Sequence, residues 1–258
     1  MQCQKLSYCV FKGENKMGIS RPAIKQNAKL LISTTKPSPI LVGLVCLAIT
    51  LLLRFLSYAV SGELKSYLDT MSQYYAGKIT MDQLLSGNYV TVAPQVTLWG
   101  NLLGFAITLM IIMLSVGFTI YCLHICQFHK AGFGNLFDGF AIFFKAIWLE
   151  FLIMFFIFLW SLLLIVPGII AAYRYRMALY IMIENPHMSA LDCITASKQM
   201  MNGHKGELFI LDLSFLGWAI LSVVPFVILW VFPYYNTAVT NYYIALRDMP
   251  KPVFEAQI

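Results

Sequence analysis

Long apolar segments alternate with short polar ones along this chain of 258 residues. A helix of about 20 apolar residues can cross the hydrocarbon core of a bilayer, and two of the apolar runs meet a proline followed by a shorter, aromatic-rich segment. The pattern predicts an all-α, multi-pass transmembrane helical bundle with about six spans as three hairpins, plus short interfacial amphipathic helices. The predicted spans are 39–60, 96–123, 141–166, 169–183, 208–232 and 234–246.

The basic residues predict how the chain is threaded. Residues 1–37 carry seven Lys/Arg against one acid, Glu14, and an excess of Lys/Arg beside a span marks the cytosolic side. We therefore predict a basic cytosolic tail at 1–37, a six-span membrane domain at 38–247 and a cytosolic tail at 248–258. No cleavable signal peptide is predicted.

Two prolines mark the predicted turns of the second and third hairpins. Pro167 with Gly168 and, later, Pro233 each stand between a long apolar run and a short aromatic one. The two units resemble a weak parallel repeat, a feature of some transporters. Plain duplication of a helical hairpin would give the same pattern, and the sequence leaves both explanations open.

Composition supports membrane insertion and argues against other classes. The chain is 59% hydrophobic and 12% charged, whereas soluble domains are roughly 45–50% apolar and about 25% charged. The net charge of +6 lies mainly in the N-terminal tail, so it indicates topology, and no nucleic-acid partner is expected. Cys122, Cys126 and His129 share one helix face, but their spacing matches no zinc motif, so we predict no metal and no cofactor.

Residues 189–202 predict an amphipathic cytosolic helix at the membrane surface. Ser189 is suited to cap it, with Asp192 three residues later, and its apolar positions lie on one side. The polar side presents Asp192, Lys198 and Gln199. We predict these three as a contact surface for a partner protein.

The presence of Arg174 and Arg176 requires an explanation, because both charged residues fall inside a predicted span. A buried arginine costs at least about 2.5–3.5 kcal/mol on insertion scales. They predict either a site for an anion or a lipid phosphate or a structural pair with an acid or helix carbonyls. A polar stripe formed by Asn236, Thr240 and Asn241 could in addition line a solute path.

Catalytic signatures are absent from the sequence: it contains no HExxH, GxSxG or Walker lysine pattern. We predict no catalytic residues and no enzyme activity.

The run from PGIIAAYRYRMALYIMIENPHMSALDCITASKQMM onward, together with AGFGNLFDGF and SRPAIKQNAKLL, resembles a bacterial integral membrane family catalogued as domain of unknown function 975. More distantly, the PGI…A…R…A…G layout is similar to the membrane part of glycerophosphodiester phosphodiesterases, without their catalytic domain. The resemblance covers about residues 17–247 and implies a multi-pass protein of the bacterial cytoplasmic membrane. It implies no activity, and it places residues 1–16 outside the family region.

Three functions are compatible with these features. The first is a non-catalytic scaffold that binds membrane lipids or a partner protein; the second is a transporter or permease-like subunit; the third is an intramembrane enzyme. We place the scaffold first. The sequence does not indicate an oligomeric state.

Overall fold

The computed structural model describes residues 19–86, 98–128, 130–221 and 225–249, and within these ranges it is helical, with no strand. The helices are α1 Arg21–Thr34, α2 Pro39–Val60, α3 Glu63–Tyr75, α4 Met81–Ser86, α5 Leu98–Phe128, α6 Phe143–Leu163, α7 Ile165–Tyr175, α8 Ala178–Glu184, α9 Ala190–Met200, α10 Lys205–Leu221 and α11 Pro225–Arg247. Two 3-10 turns, Phe133–Leu136 and Asp138–Ile142, precede α6.

Three helical stretches are long and apolar enough to cross a membrane: Pro39–Val60, Leu98–Phe128 and Phe133–Leu163, the last joining the 3-10 turns to α6. Only 11% of the most apolar window of Phe133–Leu163 is buried, so its side chains need an apolar solvent. These stretches support localisation in a membrane.

The chain divides into two compact units, Leu47–Leu114 and the remainder. In the smaller unit, a Cβ at Gly104 would lie 3.4 Å from Ser57 Oγ, so α5 passes close to α2 there. A groove of about 810 Å³ contains Arg54 beside Phe55, Glu63 and Tyr67.

Helices α6 and α7 form an antiparallel pair that turns at one residue. Leu164 has extended dihedrals, φ −162° and ψ 149°, and a Cβ at Gly168 would lie 2.0 Å from Ser161 Oγ. The turn predicted at Pro167 and Gly168 is therefore three residues too late. Pro167 lies in the first turn of α7, where a missing N–H costs nothing because helix N-termini leave their first donors free. Gly168, which has no side chain, instead allows α7 to approach α6 closely at Ser161.

The predicted turn at Pro233 is wrong, because α11 continues through this residue from Pro225 to Arg247. Neighbouring side chains bond the local carbonyls: Asn236 Nδ2 donates to Phe232 O at 2.8 Å, and Thr237 Oγ1 donates to Pro233 O at 2.8 Å. These bonds add to the backbone pairing of the turn that contains Pro233, and proline is tolerated inside membrane helices. The predicted spans 208–232 and 234–246 are thus replaced by α10 and α11, and the predicted span 169–183 by α7 and α8.

Part of the predicted N-terminal tail, residues 21–34, forms helix α1. Helix α1 buries an apolar stripe that includes Ile24, Ala28 and Leu31 and packs against α11. The ammonium of Lys25 lies 4.6 Å from the centre of the Phe215 ring. Burial, and then the charge of Lys29, lower the pKa of Lys25.

Helix α9 confirms the predicted cap and the predicted apolar side. The Ser189 hydroxyl accepts a hydrogen bond from Asp192 N at 3.2 Å, and Cys193, Ile194 and Ser197 are buried. However, the apolar side packs against α6, α7 and α8. Protein therefore covers the apolar side of α9, and its position at the membrane surface stays a prediction.

Gly117 provides a test of the packing, because a Cβ there would lie 1.8 Å from the backbone oxygen of Leu136. We expect Gly117→Ala to lower stability by about 1–3 kcal/mol, since backbone must move to admit the methyl group. Gly206→Ala is the matched control, because nothing lies within 4 Å of its Cβ position. Thermal unfolding in detergent micelles measures both; equal midpoints would contradict the packing.

Candidate polar site in the helical bundle

The site begins at a break between α7 and α8, at residues 176–177. A continuous helix would pair Arg174 O and Met177 N with its own backbone. Instead, Ser197 Oγ of α9 donates to Arg174 O at 2.8 Å and accepts from Met177 N at 3.2 Å. One buried hydroxyl thus satisfies two backbone groups beside the break.

Just beside this break, Arg176 takes part in a chain of polar side chains. Its Nη2 donates to the hydroxyl of Tyr235 at 2.7 Å. That hydroxyl donates to Asp212 Oδ1 at 2.9 Å, and the hydroxyl of Tyr173 donates to Asp212 Oδ2 at 3.0 Å. The chain joins α7, α10 and α11, and Asp212 balances the charge of Arg176 through one tyrosine.

Arg176 also borders an open cavity of about 280 Å³. Glu150 of α6 lines the same cavity, with Tyr180, Asn236 and Thr119 as further polar neighbours. Apolar side chains complete the wall, among them Ile153 and Ile157. The cavity therefore offers one cation, one carboxyl group and several hydrogen-bonding groups in a mainly apolar surround.

Arg174 differs from Arg176 although the sequence predicts them together. It is not among the residues that line the cavity, and its Nε is buried with no hydrogen-bond partner in the described part of the chain. Residues two apart on a helix point in nearly opposite directions. Of the two predicted ligand-binding residues, only Arg176 lines this cavity.

The three residues predicted to line a polar path occupy different surroundings. Asn236 lines the cavity. Thr240 is buried and its hydroxyl donates to Asn236 O at 2.8 Å within the same helix. Asn241 is buried too, and its Oδ1 accepts from Asn27 Nδ2 of α1 at 3.4 Å. Thr240 and Asn241 thus lie in the packed interior between helices.

The three predicted partner-binding residues of α9 also lie in different surroundings. Asp192 and Gln199 are exposed, whereas the Lys198 ammonium lies 5.5 Å from the Tyr175 ring centre and 5.9 Å from that of Phe156. Lys198 therefore contacts aromatic rings of its own bundle.

A second polar cluster ties the far ends of α8 and α11. The Glu184 carboxylate accepts hydrogen bonds from Gln127 and Arg247, and from the Tyr243 hydroxyl at 2.5 Å. Because α5, α8 and α11 all contribute, this carboxylate holds three helices together.

No group of three His, Cys, Asp or Glu residues able to hold an ion occurs in the described ranges. Cys122 is buried and Cys126 Sγ lies 4.0 Å from Thr237 O, while His129 lies outside the described residues. Burial raises the pKa of the Cys193 thiol on α9, which reduces the reactive thiolate.

Sequence reasoning missed the tyrosines and the role of Ser197. Glu150 and Asp212 stand out as acids in apolar segments, but nothing local indicates that Tyr173 and Tyr235 meet on Asp212. The only signal for Ser197 is a hydroxyl on an otherwise apolar helix side, between Ile194 and Met201.

Comparison with known families gives one match. The family described as "Protein of unknown function (DUF975)" matches residues 162–249, so this chain is similar to that family over α7–α11. The matched stretch contains Arg176, Ser197, Asp212 and Tyr235, whereas Glu150 precedes it. Searches of curated proteins and of solved structures found no match.

Ser197→Ala tests the bridge at the helix break. The change leaves Arg174 O and Met177 N without a partner, and we expect a loss of about 1–3 kcal/mol and a lower unfolding temperature in detergent. Thr195→Ala is the control, since Thr195 is exposed and its hydroxyl only bonds Leu191 O of its own helix. A loss no larger than that of the control would show that the bridge is dispensable.

Proposed function

We propose that this protein is a non-catalytic integral membrane module that binds the headgroup of a phospholipid in the cavity beside Arg176. The observation that carries the proposal is the geometry of this arginine. The Tyr235 hydroxyl accepts a hydrogen bond from the Arg176 guanidinium at 2.7 Å and orients it. Arg176 itself remains exposed at the border of the cavity. A guanidinium held in this way is ready to donate to phosphate oxygens.

The charge of the site favours a zwitterion over a simple anion. Asp212 already balances Arg176 through Tyr235, and Glu150 adds a carboxyl group to the cavity wall. A free anion would meet this surplus of acid. A phosphoethanolamine headgroup instead places its phosphate on Arg176 and its ammonium on Glu150, so each charge has a partner.

The size of the cavity agrees with a headgroup. Its volume of about 280 Å³ lies at the lower edge of the roughly 300–1,000 Å³ of small-molecule pockets. The acyl chains would then remain outside, against exposed apolar side chains such as Phe158 and Ile169.

Transport and catalysis rank below binding. A transporter needs a continuous polar route, and burial of Thr240 and Asn241 weakens the route predicted from the sequence. Absence of enzyme activity stays a prediction, as does the distant likeness to the membrane part of glycerophosphodiester phosphodiesterases. Flux of a headgroup-sized solute through proteoliposomes would favour the transporter.

The finer topology also enters as a proposal. We carry forward three helical pairs, with both termini and residues 184–207 on the cytosolic side of a bacterial cytoplasmic membrane and residues 61–95 on the other side. The supporting observation is the distribution of Lys/Arg. The exposed Asp192 and Gln199 of α9 are the proposed contacts for a partner protein.

Lipid titration followed by native mass spectrometry tests the binding site. We expect wild-type protein to prefer phosphatidylethanolamine to phosphatidylglycerol. Arg176→Ala should weaken phosphatidylethanolamine binding about tenfold or more, because a hydrogen bond to a charged group contributes about 1.5–3 kcal/mol. Glu150→Gln should remove the preference, since the ammonium loses its partner.

Arg21→Ala is the matched control, because Arg21 is exposed on α1 and does not line the cavity. Unfolding temperatures establish that each variant is folded. Phosphatidylethanolamine binding that falls no further in Arg176→Ala than in Arg21→Ala would refute the site.

A further inference from the structure

The groove of the smaller unit is bounded by three helices and has the size of a ligand site. Helix α2 contributes Arg54, α3 contributes Glu63 and Tyr67, and α5 contributes Ile111 and Ile112. Its volume of about 810 Å³ lies within the roughly 300–1,000 Å³ of small-molecule pockets. None of its lining residues also lines the cavity beside Arg176, so the groove is a separate site.

The turn at Gly62 places one side of α3 along this groove. Gly62 has a φ of 81°, in the left-handed region that favours glycine. After it, Glu63, Leu64 and Tyr67 share one side of α3 and line the same groove as Leu51 of α2. No residue of α3 is buried. Helix α3 therefore borders the groove without filling it.

The polar side chains of the groove leave hydrogen-bond donors free. In the part of the chain that the structure describes, the guanidinium of Arg54 has neither an ion pair nor a hydrogen bond, although Glu63 lines the same groove. Within the same ranges, the hydroxyls of Tyr58 and Tyr67 have no partner either. One cation and two phenol groups are thus available to a ligand.

The charge balance of the groove favours an anion. Glu63 lies in the first turn of α3, where the free N–H groups of a helix start favour negative charge. Arg54 has no comparable compensation, whereas Arg176 of the other site has Asp212 through a tyrosine. A guanidinium with unused donors is suited to the oxygens of a phosphate.

One end of the groove is apolar and open. Leu51 precedes the end of α2 at Val60 by nine residues, about 14 Å. Leu51 and Phe55 are exposed, and only 17% of the most apolar window of α2 is buried. Ile111 and Ile112 of α5 extend the same apolar wall. An acyl chain can cover these side chains, which an aqueous solute would leave unpaired with any apolar group.

The other end of the groove carries charged residues. Glu63 and Lys65 are exposed directly after α2, and charged side chains are excluded from hydrocarbon, so lipid headgroups are present at this end. Arg54 precedes Val60 by six residues, about 9 Å. The long side chain of an arginine can extend over part of this distance toward the headgroups.

We propose that this groove binds one anionic phospholipid, with its phosphate on Arg54 and an acyl chain along Leu51, Phe55 and the two isoleucines of α5. The hydroxyls of Tyr58 and Tyr67 donate to the same headgroup. A free phosphate ion would leave the apolar end uncovered, so the occupant is a lipid. The inference stands even if the cavity beside Arg176 binds no lipid.

Photo-crosslinking in vesicles tests the groove. The full chain is reconstituted into phosphatidylcholine vesicles and titrated with phosphatidylglycerol that carries a diazirine on one acyl chain, and the crosslinked peptides are mapped by mass spectrometry. We expect crosslinks within residues 51–67 or 108–112. Arg54→Ala should weaken the apparent affinity about tenfold or more, because the phosphate loses a charged donor. Arg54→Gln is a second variant in case the first fails to fold.

Two further variants separate a specific site from general attraction to the membrane surface. Lys65→Ala is the matched control, because Lys65 is an exposed cation of α3 that does not line the groove, and its affinity should equal that of wild-type protein. Glu63→Gln should tighten phosphatidylglycerol binding about twofold or more, because the anion no longer faces a carboxylate. Arg176→Ala should leave the crosslinks unchanged.

Unfolding temperatures in detergent establish that each variant is folded. An equal loss in Lys65→Ala and Arg54→Ala, or crosslinks outside the groove, would overturn the proposal. Weaker binding in Glu63→Gln, with tighter binding of a matching phosphatidylethanolamine probe, would show that the groove takes a zwitterion instead. Arg54-dependent binding of inorganic phosphate that displaces the lipid probe would overturn the assignment to a lipid.

Discussion

The hydroxyl of Ser197 is the contact on which the polar site depends. It bridges Arg174 O and Met177 N, the two groups released where α7 ends and α8 begins. Unpaired groups in this interior would favour an unbroken helix, and Arg176 would then take another direction. The same hydroxyl fixes α9 against the hairpin. The orientation of Arg176 and the packing of α9 against α7 and α8 therefore have one structural cause.

The two prolines illustrate what a sequence can and cannot predict about membrane helices. Both interrupt apolar runs, so both predict turns. Pro167 follows its turn because a helix start tolerates a missing donor. Pro233 lies within α11, and Gly43 leaves room for its ring: a Cβ at Gly43 would lie 3.3 Å from Pro233 Cβ. This contact joins residues almost two hundred positions apart, so no local pattern predicts it.

The helical class, three apolar stretches long enough to cross a membrane and the cap of α9 follow from local patterns and are confirmed. Some residues of the candidate site could be predicted for the same reason, because Arg176 and the acids Glu150 and Asp212 are costly in apolar segments. Their hydrogen-bond partners could not be predicted, since Tyr173 and Tyr235 resemble ordinary interfacial aromatics. The docking of α1 was hidden by its basic residues, which outweigh a short stripe formed by Ile24, Ala28 and Leu31.

The exposure of apolar side chains differs between α6 and the segment that follows α7. Large apolar side chains face outward along α6, whereas beyond Tyr175 the side chains of Met177, Tyr180 and Met182 are buried. Arg176 lies where α7 ends, and Glu150 of α6 lines the same cavity. The cavity therefore lies between a helix with an exposed apolar surface and a packed interior, and a headgroup-binding site at this position needs no route through the membrane.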